Sequence, residues 1–271
     1  MRHELVCLQP ATPPRLQLRE GALPALRRGA VRVRVEATSV NPIDARRAGG
    51  YGQRLLALKG AGRFPIVLGN DLVGRVEATG AGVQGLAVGQ RVFGLLATGR
   101  QGGAHASHVV VPARQLRPAP DDADPAALAV LPYSFTTMWL AVHDARLAPA
   151  NAAGKRVLVH GAAGALGRLA LQLLAGWGCH VTAICDLGMA DTCRALGASA
   201  AVERGPQAIA SLPADFDAVL NFASWDDEPA LASRLGPQAL GHATTVHPLL
   251  GHFDRLGWLR GALACGRDKR R

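Results

Sequence analysis

A chain of 271 residues with 49% apolar and 18% charged residues has material for two medium-sized domains and is neither disordered nor fibrous. The formal charge is +10, yet only Lys59, Lys155 and Lys269 of the 30 basic residues are lysines, and the arginines are scattered in pairs such as Arg27–Arg28 and Arg46–Arg47 without interleaved aromatics. That scatter argues against a dedicated nucleic-acid face and leaves only incidental polyanion affinity.

The start, MRHELVCLQPATPP, lacks the apolar core of a signal peptide, and Glu4 and Glu20 sit poorly in an acid-poor transit peptide. Cys7, Cys179, Cys185, Cys193 and Cys265 show no paired spacing, and an odd count points away from a disulfide framework. A reducing, cytoplasmic setting is expected, with mitochondria as the alternative. No apolar run reads as long enough to cross a membrane; the longest uncharged one is broken by Gln172, Gly176, Gly178 and His180.

Residues 30 to 120 read as an all-β module. Val31, Val33 and Val35 alternate with Arg32, Arg34 and Glu36, which gives a strand with one face in the core. Further strands are expected at Ile66–Leu68, Leu72–Glu77, Arg91–Leu95 and His108–Val111. Turns at Gly80–Gly82, Gly85, Gly89 and Gly99–Gly103 separate them. The period then changes. Asp124 as N-cap and Pro125 at the first position open a helix that Pro132 is expected to stop, and a second helix covers Phe135–Val142.

The stretch from Lys155 to Asp186 carries the clearest pattern. Val157–Val159 is a short apolar strand, followed at once by Gly161, Gly164 and Gly167. Leu166, Leu169, Ala170, Leu173, Leu174 and Trp177 then mark one apolar helix face, and Val181–Cys185 reads as the next strand. Strand, glycine turn, helix, strand is the first half of a doubly wound dinucleotide-binding unit. The turn's amides and the positive end of the helix suit a diphosphate, placing Gly161, Ala163, Gly164, Ala165, Leu166 and Gly167 against it. Asp186, nineteen residues beyond Gly167, is either the acceptor for a ribose 2′-hydroxyl or the N-cap of the next helix. Arg194 is the nearest cation for a 2′-phosphate, so NADPH and NADH both stay open. A helix from Met189 to Leu196 closed by Gly197, and strands at Ala200–Val202, Ala218–Phe222 and Ala243–Val246, continue the unit. The division falls at 128/129, giving a β-rich domain over 1–128 and a nucleotide-binding domain over 129–271.

The chain resembles the medium-chain dehydrogenase/reductase superfamily, in its zinc-free quinone oxidoreductase branch. The matching pieces are SVNPIDARRAGGYG (Ser39–Gly52), FPIVLGNDLVGRVEATGAGV (Phe64–Val83), GQRVFG (Gly89–Gly94), LPYSFTTMW (Leu131–Trp139) and VLVHGAAGALG (Val157–Gly167). Within the branch, GYGQRLLALKG and HPLLGHFDRLG (His247–Gly257) are similar to a group of mitochondrial NADPH oxidoreductases and their bacterial relatives. The resemblance implies an α/β fold, with a GroES-like β-barrel domain followed by a Rossmann doubly wound parallel sheet. It implies that Asn41 and Tyr51 border the nicotinamide and substrate, that Thr137 meets the nicotinamide ribose or phosphate, and that Asn221 and His247 make cofactor contacts. Asn41 is otherwise a turn residue before Pro42, and Tyr51 a loop aromatic.

Zinc-dependent relatives carry a cysteine where this chain has Asn41, and Gly-His-Glu where it has Gly69–Asn70–Asp71. His105/His108 and His242/His247/His252 lack an accompanying ligand set, so no metal is expected. What is left is hydride delivery from a reduced nicotinamide to an acceptor such as a quinone or enone, with Asn41 or Tyr51 as donor to the developing oxyanion. Relatives continue past the DRLG segment and return to the β-rich domain; this chain stops in LACGRDKRR. The expectation is that the closing segment is missing and that Ala243–Val246 is left as an edge strand, open to a homodimer or a partner. The alternatives are a nucleotide-binding pseudoenzyme or fragment, or an interaction role on the basic surface.

Overall fold

The computed structural model describes residues 1–58, 60–96, 102–205 and 207–268. The turn expected at Gly99–Gly103 lies outside them up to Gln101. The chain divides into two compact units, Met1–Tyr133 with Leu249–Arg270, and Ser134–Pro248.

The first unit begins with β1 (Arg2–Cys7), β2 (Leu16–Gly21) and β3 (Ala30–Ala37), then α1 (Pro42–Ala48) and α2 (Gln53–Leu58). It continues through β4 (Ile66–Val67), β5 (Asp71–Thr79), β6 (Arg91–Leu95), β7 (His108–Pro112), β8 (Leu116–Pro118) and α3 (Pro125–Ala129). Two sheets result, one ordered β2-β1-β4 and one β7-β3-β5-β6-β8. In the larger sheet all four pairings are antiparallel. The alternation in β3 resolves as expected: Val31 and Val33 are fully buried with Leu72, Val76, Val92, Val109 and Val111. On the outer side Arg32 pairs with Glu77 of the neighbouring strand.

Pro132 does not stop a helix. It lies in the first turn of α4 (Leu131–Asp144), where a missing N–H costs nothing, and α3 has already ended at Val130. By length and composition alone, Pro125–Asp144 is the one described stretch that passes for a membrane span. It is two helices parted at Val130.

The second unit takes up α4 and adds α5 (Pro149–Ala152), β9 (Arg156–His160), α6 (Ala165–Gly176), β10 (His180–Cys185), α7 (Ala190–Ala195) and β11 (Ala200–Glu203). It ends with β12 (Ala218–Asn221), α8 (Glu228–Ala232) and β13 (Gly241–Thr244). All five strands are parallel, in the order β11-β10-β9-β12-β13. Val157, Leu158 and Val159 in the central strand have no exposed surface, as a strand covered on both faces requires. β13 is the edge and lies two residues earlier than expected, in the register that sets Gly241 opposite Ala218.

The last helical segment, α9 (Leu249–Asp268), is broken at Gly257, whose φ is 75°. It belongs with the first unit, not with the nucleotide-binding one as a cut at 128/129 implies. The reason is a carboxylate: Asp254 accepts from the Gly52 N–H at 2.5 Å and the Arg54 N–H at 3.2 Å, tying α9 to the start of α2.

Candidate functional site

In the second unit the chain leaves β9 at His160 and turns at Gly161, whose φ is +78°. The Gly161 and Ala162 N–H groups both donate to the Ile184 carbonyl at 3.0 Å, which pins the turn to β10. Gly164 is the N-cap of α6 and has no side chain to satisfy the first amides, so they remain available to an anion beside Ala163, Ala165 and Leu166. A Cβ on Gly167 would stand 2.3 Å from the Gly161 carbonyl oxygen and 2.5 Å from Ala162 Cα, so the helix rests directly on the turn. This cradle fits a dinucleotide diphosphate.

At the end of β10, Asp186 is exposed and forms an ion pair with Arg204 at 3.2 Å. It does not cap α7; Met189 does, and Asp186 offers that turn only its carbonyl. The Arg204 N–H donates to the Cys185 carbonyl at 2.7 Å, bringing the arginine beside the acid at the ends of neighbouring strands. Arg204 escaped sequence reasoning, which had no means of knowing that the strand after β10 lies alongside it. Arg194 sits on α7 and is engaged by Asp191 at 2.8 Å.

At the end of β12, Asn221 is wholly buried. Its Oδ1 accepts from the Ala223 and Ser224 N–H groups at 3.1 and 3.3 Å and lies 3.1 Å from His160 Nδ1; its amide donates to the Ser224 carbonyl and to Glu228. Asn221 is therefore a local organiser of the strand end. Burial holds His160 below the ordinary imidazole value, with Asp227 3.5 Å from its Nε2. His247 meets the edge of Trp225 at 4.5 Å, and Thr137 is half-buried on α4. Burial also pushes the Cys179 and Cys185 thiols up to about 11, so neither is a reactive thiolate.

In the first unit the residues around Asn41 form a closed polar cluster. The Asn41 amide donates to Ser39 Oγ at 2.9 Å and to Asp71 at 2.8 Å, while Ser39 Oγ donates to the same carboxylate. The other Asp71 oxygen accepts from the Tyr133 N–H at 2.6 Å. Both Asn41 amide protons are thus committed, and a donor role toward substrate would require breaking one of these bonds. Asp44 accepts from the Asn41 and Gly69 N–H groups at 2.8 and 2.9 Å. Asn41 and Asp71 are thus bound to each other. Tyr51 differs. Burial raises its pKa, the Arg46 charge and the Leu250 backbone hold it back in part, and the Arg46 guanidinium lies 5.9 Å from its ring centroid. Its O–H proton is uncommitted among the described residues.

A β-rich unit and a doubly wound unit with an open glycine cradle define the nicotinamide-dependent medium-chain dehydrogenase/reductase class. Residues 27–121 match the alcohol dehydrogenase GroES-like domain. The chain is 33% identical over 259 residues to the reticulon-4-interacting protein 1, mitochondrial, of Caenorhabditis elegans, covering 89% of this chain and 69% of that protein. It is 35% identical over 248 residues to the NAD(P)H oxidoreductase RTN4IP1, mitochondrial, of Drosophila melanogaster, covering 85% and 59%. The quinone oxidoreductase structure from Coxiella burnetii superposes with a TM-score of 0.76 at 24% identity, over 88% of this chain and 74% of that one. The chain belongs to the medium-chain dehydrogenase/reductase superfamily, in its quinone-oxidoreductase-like branch, and its cofactor is a nicotinamide nucleotide. It spans 59–69% of the length of these two curated relatives. Both are mitochondrial by name, which overturns the cytoplasmic expectation.

Proposed function

We propose that the protein is a zinc-independent NAD(P)H oxidoreductase that delivers hydride to a quinone or an activated alkene, in the compartment its mitochondrial relatives occupy. The observation that carries the reading is the cradle from Gly161 to Gly167, where the α6 amides stay open and the packing leaves no room for a Cβ. When bound, the nicotinamide supplies two electrons as hydride, and the acceptor takes these with a proton. The chain's own residues bind, orient and donate. The glycine turn and the α6 amides hold the diphosphate. Arg204, released from Asp186, pairs a 2′-phosphate, and Asp186 accepts a 2′-hydroxyl when the phosphate is absent; NADPH is the preferred nucleotide on this reading. Tyr51 donates to the oxygen on which charge develops. Asn41 holds Asp71 and the surrounding turn, a positioning role that needs no metal. Thr137, Asn221 and His247 remain proposed contacts of the nicotinamide end.

Titration with NADPH, followed by turnover of a naphthoquinone and of an enone with NADPH absorbance as readout, tests this. Saturable binding with consumption of either acceptor is expected. Folded protein with no affinity for NADPH or NADH, or with tightly held stoichiometric zinc, overturns it.

A further inference from the structure

The scattered arginines are less scattered in space than in sequence. In the first unit a cavity of about 250 Å³ opens between the segment before β3 and the end of β7, with Arg2, Arg27, Arg28 and Arg114 in its lining. Pro24, Val110 and Pro112 form apolar parts of the wall, and no carboxylate lines it. Arg2 is spoken for: it pairs with Glu4 at 2.5 Å and its Nε donates to the His108 carbonyl at 2.9 Å. Arg27, Arg28 and Arg114 are exposed, and among the described residues none is paired with a carboxylate.

Three unpaired guanidinium groups around one concavity repel one another, which an anion with several negative oxygens relieves while matching their planar donor forks. A monovalent carboxylate relieves less of that repulsion. Single-stranded nucleic acid ordinarily needs aromatic platforms for its bases, and no aromatic side chain lines this cavity. We propose that the pocket is a binding site for a small multivalent phosphate, of the pyrophosphate or organic diphosphate class. It belongs to the β-rich unit alone and uses none of the residues of the glycine cradle.

The test is calorimetric titration of the full chain with inorganic pyrophosphate at low salt, without nucleotide. Parallel titrations use R27Q/R28Q/R114Q and a charge-matched control, R15Q/R19Q/R260Q. All six positions are exposed, and circular dichroism confirms that both variants fold. Wild type and control are expected to bind alike, with the pocket variant weaker by roughly tenfold to a hundredfold. Affinity also falls steeply with added salt. Absence of pyrophosphate binding by wild type, or equal affinity in the two variants, overturns the proposal. So does binding of single-stranded RNA that depends on the three arginines while pyrophosphate is ignored.

Discussion

The packing of α6 on its own turn makes a sharp prediction about two glycines in one helix. Gly167→Ala forces a methyl carbon to within 2.3 Å of the Gly161 carbonyl oxygen and 2.5 Å of Ala162 Cα, and both obstacles are backbone. No side-chain rotation relieves them, so the helix must lift from the turn. Overpacking of this kind costs about 2–3 kcal/mol. For a protein of this size that lowers Tm by roughly 4–12 °C. Lifting α6 also withdraws its amides from the diphosphate, so NADPH affinity falls by about tenfold or more. Gly176→Ala, nine residues on, meets nothing within 4 Å. The same substitution there is expected to raise stability by about 0.5–1 kcal/mol, because alanine forfeits less chain entropy in a helix. Thermal melts and NADPH fluorescence titrations on the two variants decide the matter. A Gly167→Ala protein that melts with wild type and binds NADPH equally well refutes the cradle.

Three further outcomes follow from the site. Arg204→Ala should cost about tenfold in NADPH affinity while sparing NADH, and Asp186→Ala should shift the ratio toward NADPH; unchanged ratios in paired titrations would sink the assignment. Tyr51→Phe should lower kcat by about a hundredfold with nucleotide binding intact, whereas Asn41→Ala should destabilise by about 1–3 kcal/mol because it removes a donor from the buried Asp71 carboxylate; a denaturant melt beside steady-state kinetics separates the two. His160, held below its ordinary value of 6.5 by burial, is neutral in the fold while the unfolded chain takes up the proton first. Above about pH 6.5 both states are neutral at this ring and it has no effect, whereas folding is penalised as pH falls below that value toward the folded pKa, so the decline of Tm across that window should flatten in His160→Gln.

The doubly wound unit was legible because its signals are local. Three buried valine and leucine positions, a glycine turn and an amphipathic helix follow one another within about thirty residues, and chain order matches spatial order. The alternation around Val31 was equally readable, since half of that strand faces the core. The hairpin of β1 and β2 was not: every residue of β2 is exposed, so no burial pattern was imprinted on it. Pro132 misled because proline both ends helices and begins them, and only the ending of α3 at Val130 decides between the two. At the site, the glycines could be read from spacing. The Arg204–Asp186 pair and the consumption of the Asn41 amide by Ser39 and Asp71 depend on strand neighbours and on contacts some thirty residues apart, which no one-dimensional pattern records.

The Asp254 carboxylate clasping the amides of Gly52 and Arg54 has a consequence for biogenesis. During synthesis the stretch bearing Tyr51 leaves the ribosome early but must wait roughly two hundred residues for its clasp. Ser134–Pro248, being continuous, has all its own material beforehand. The later-made segment therefore finishes the earlier-made domain, and released chains truncated before Asp254 should expose the Tyr51 loop to protease while their parallel sheet is protected.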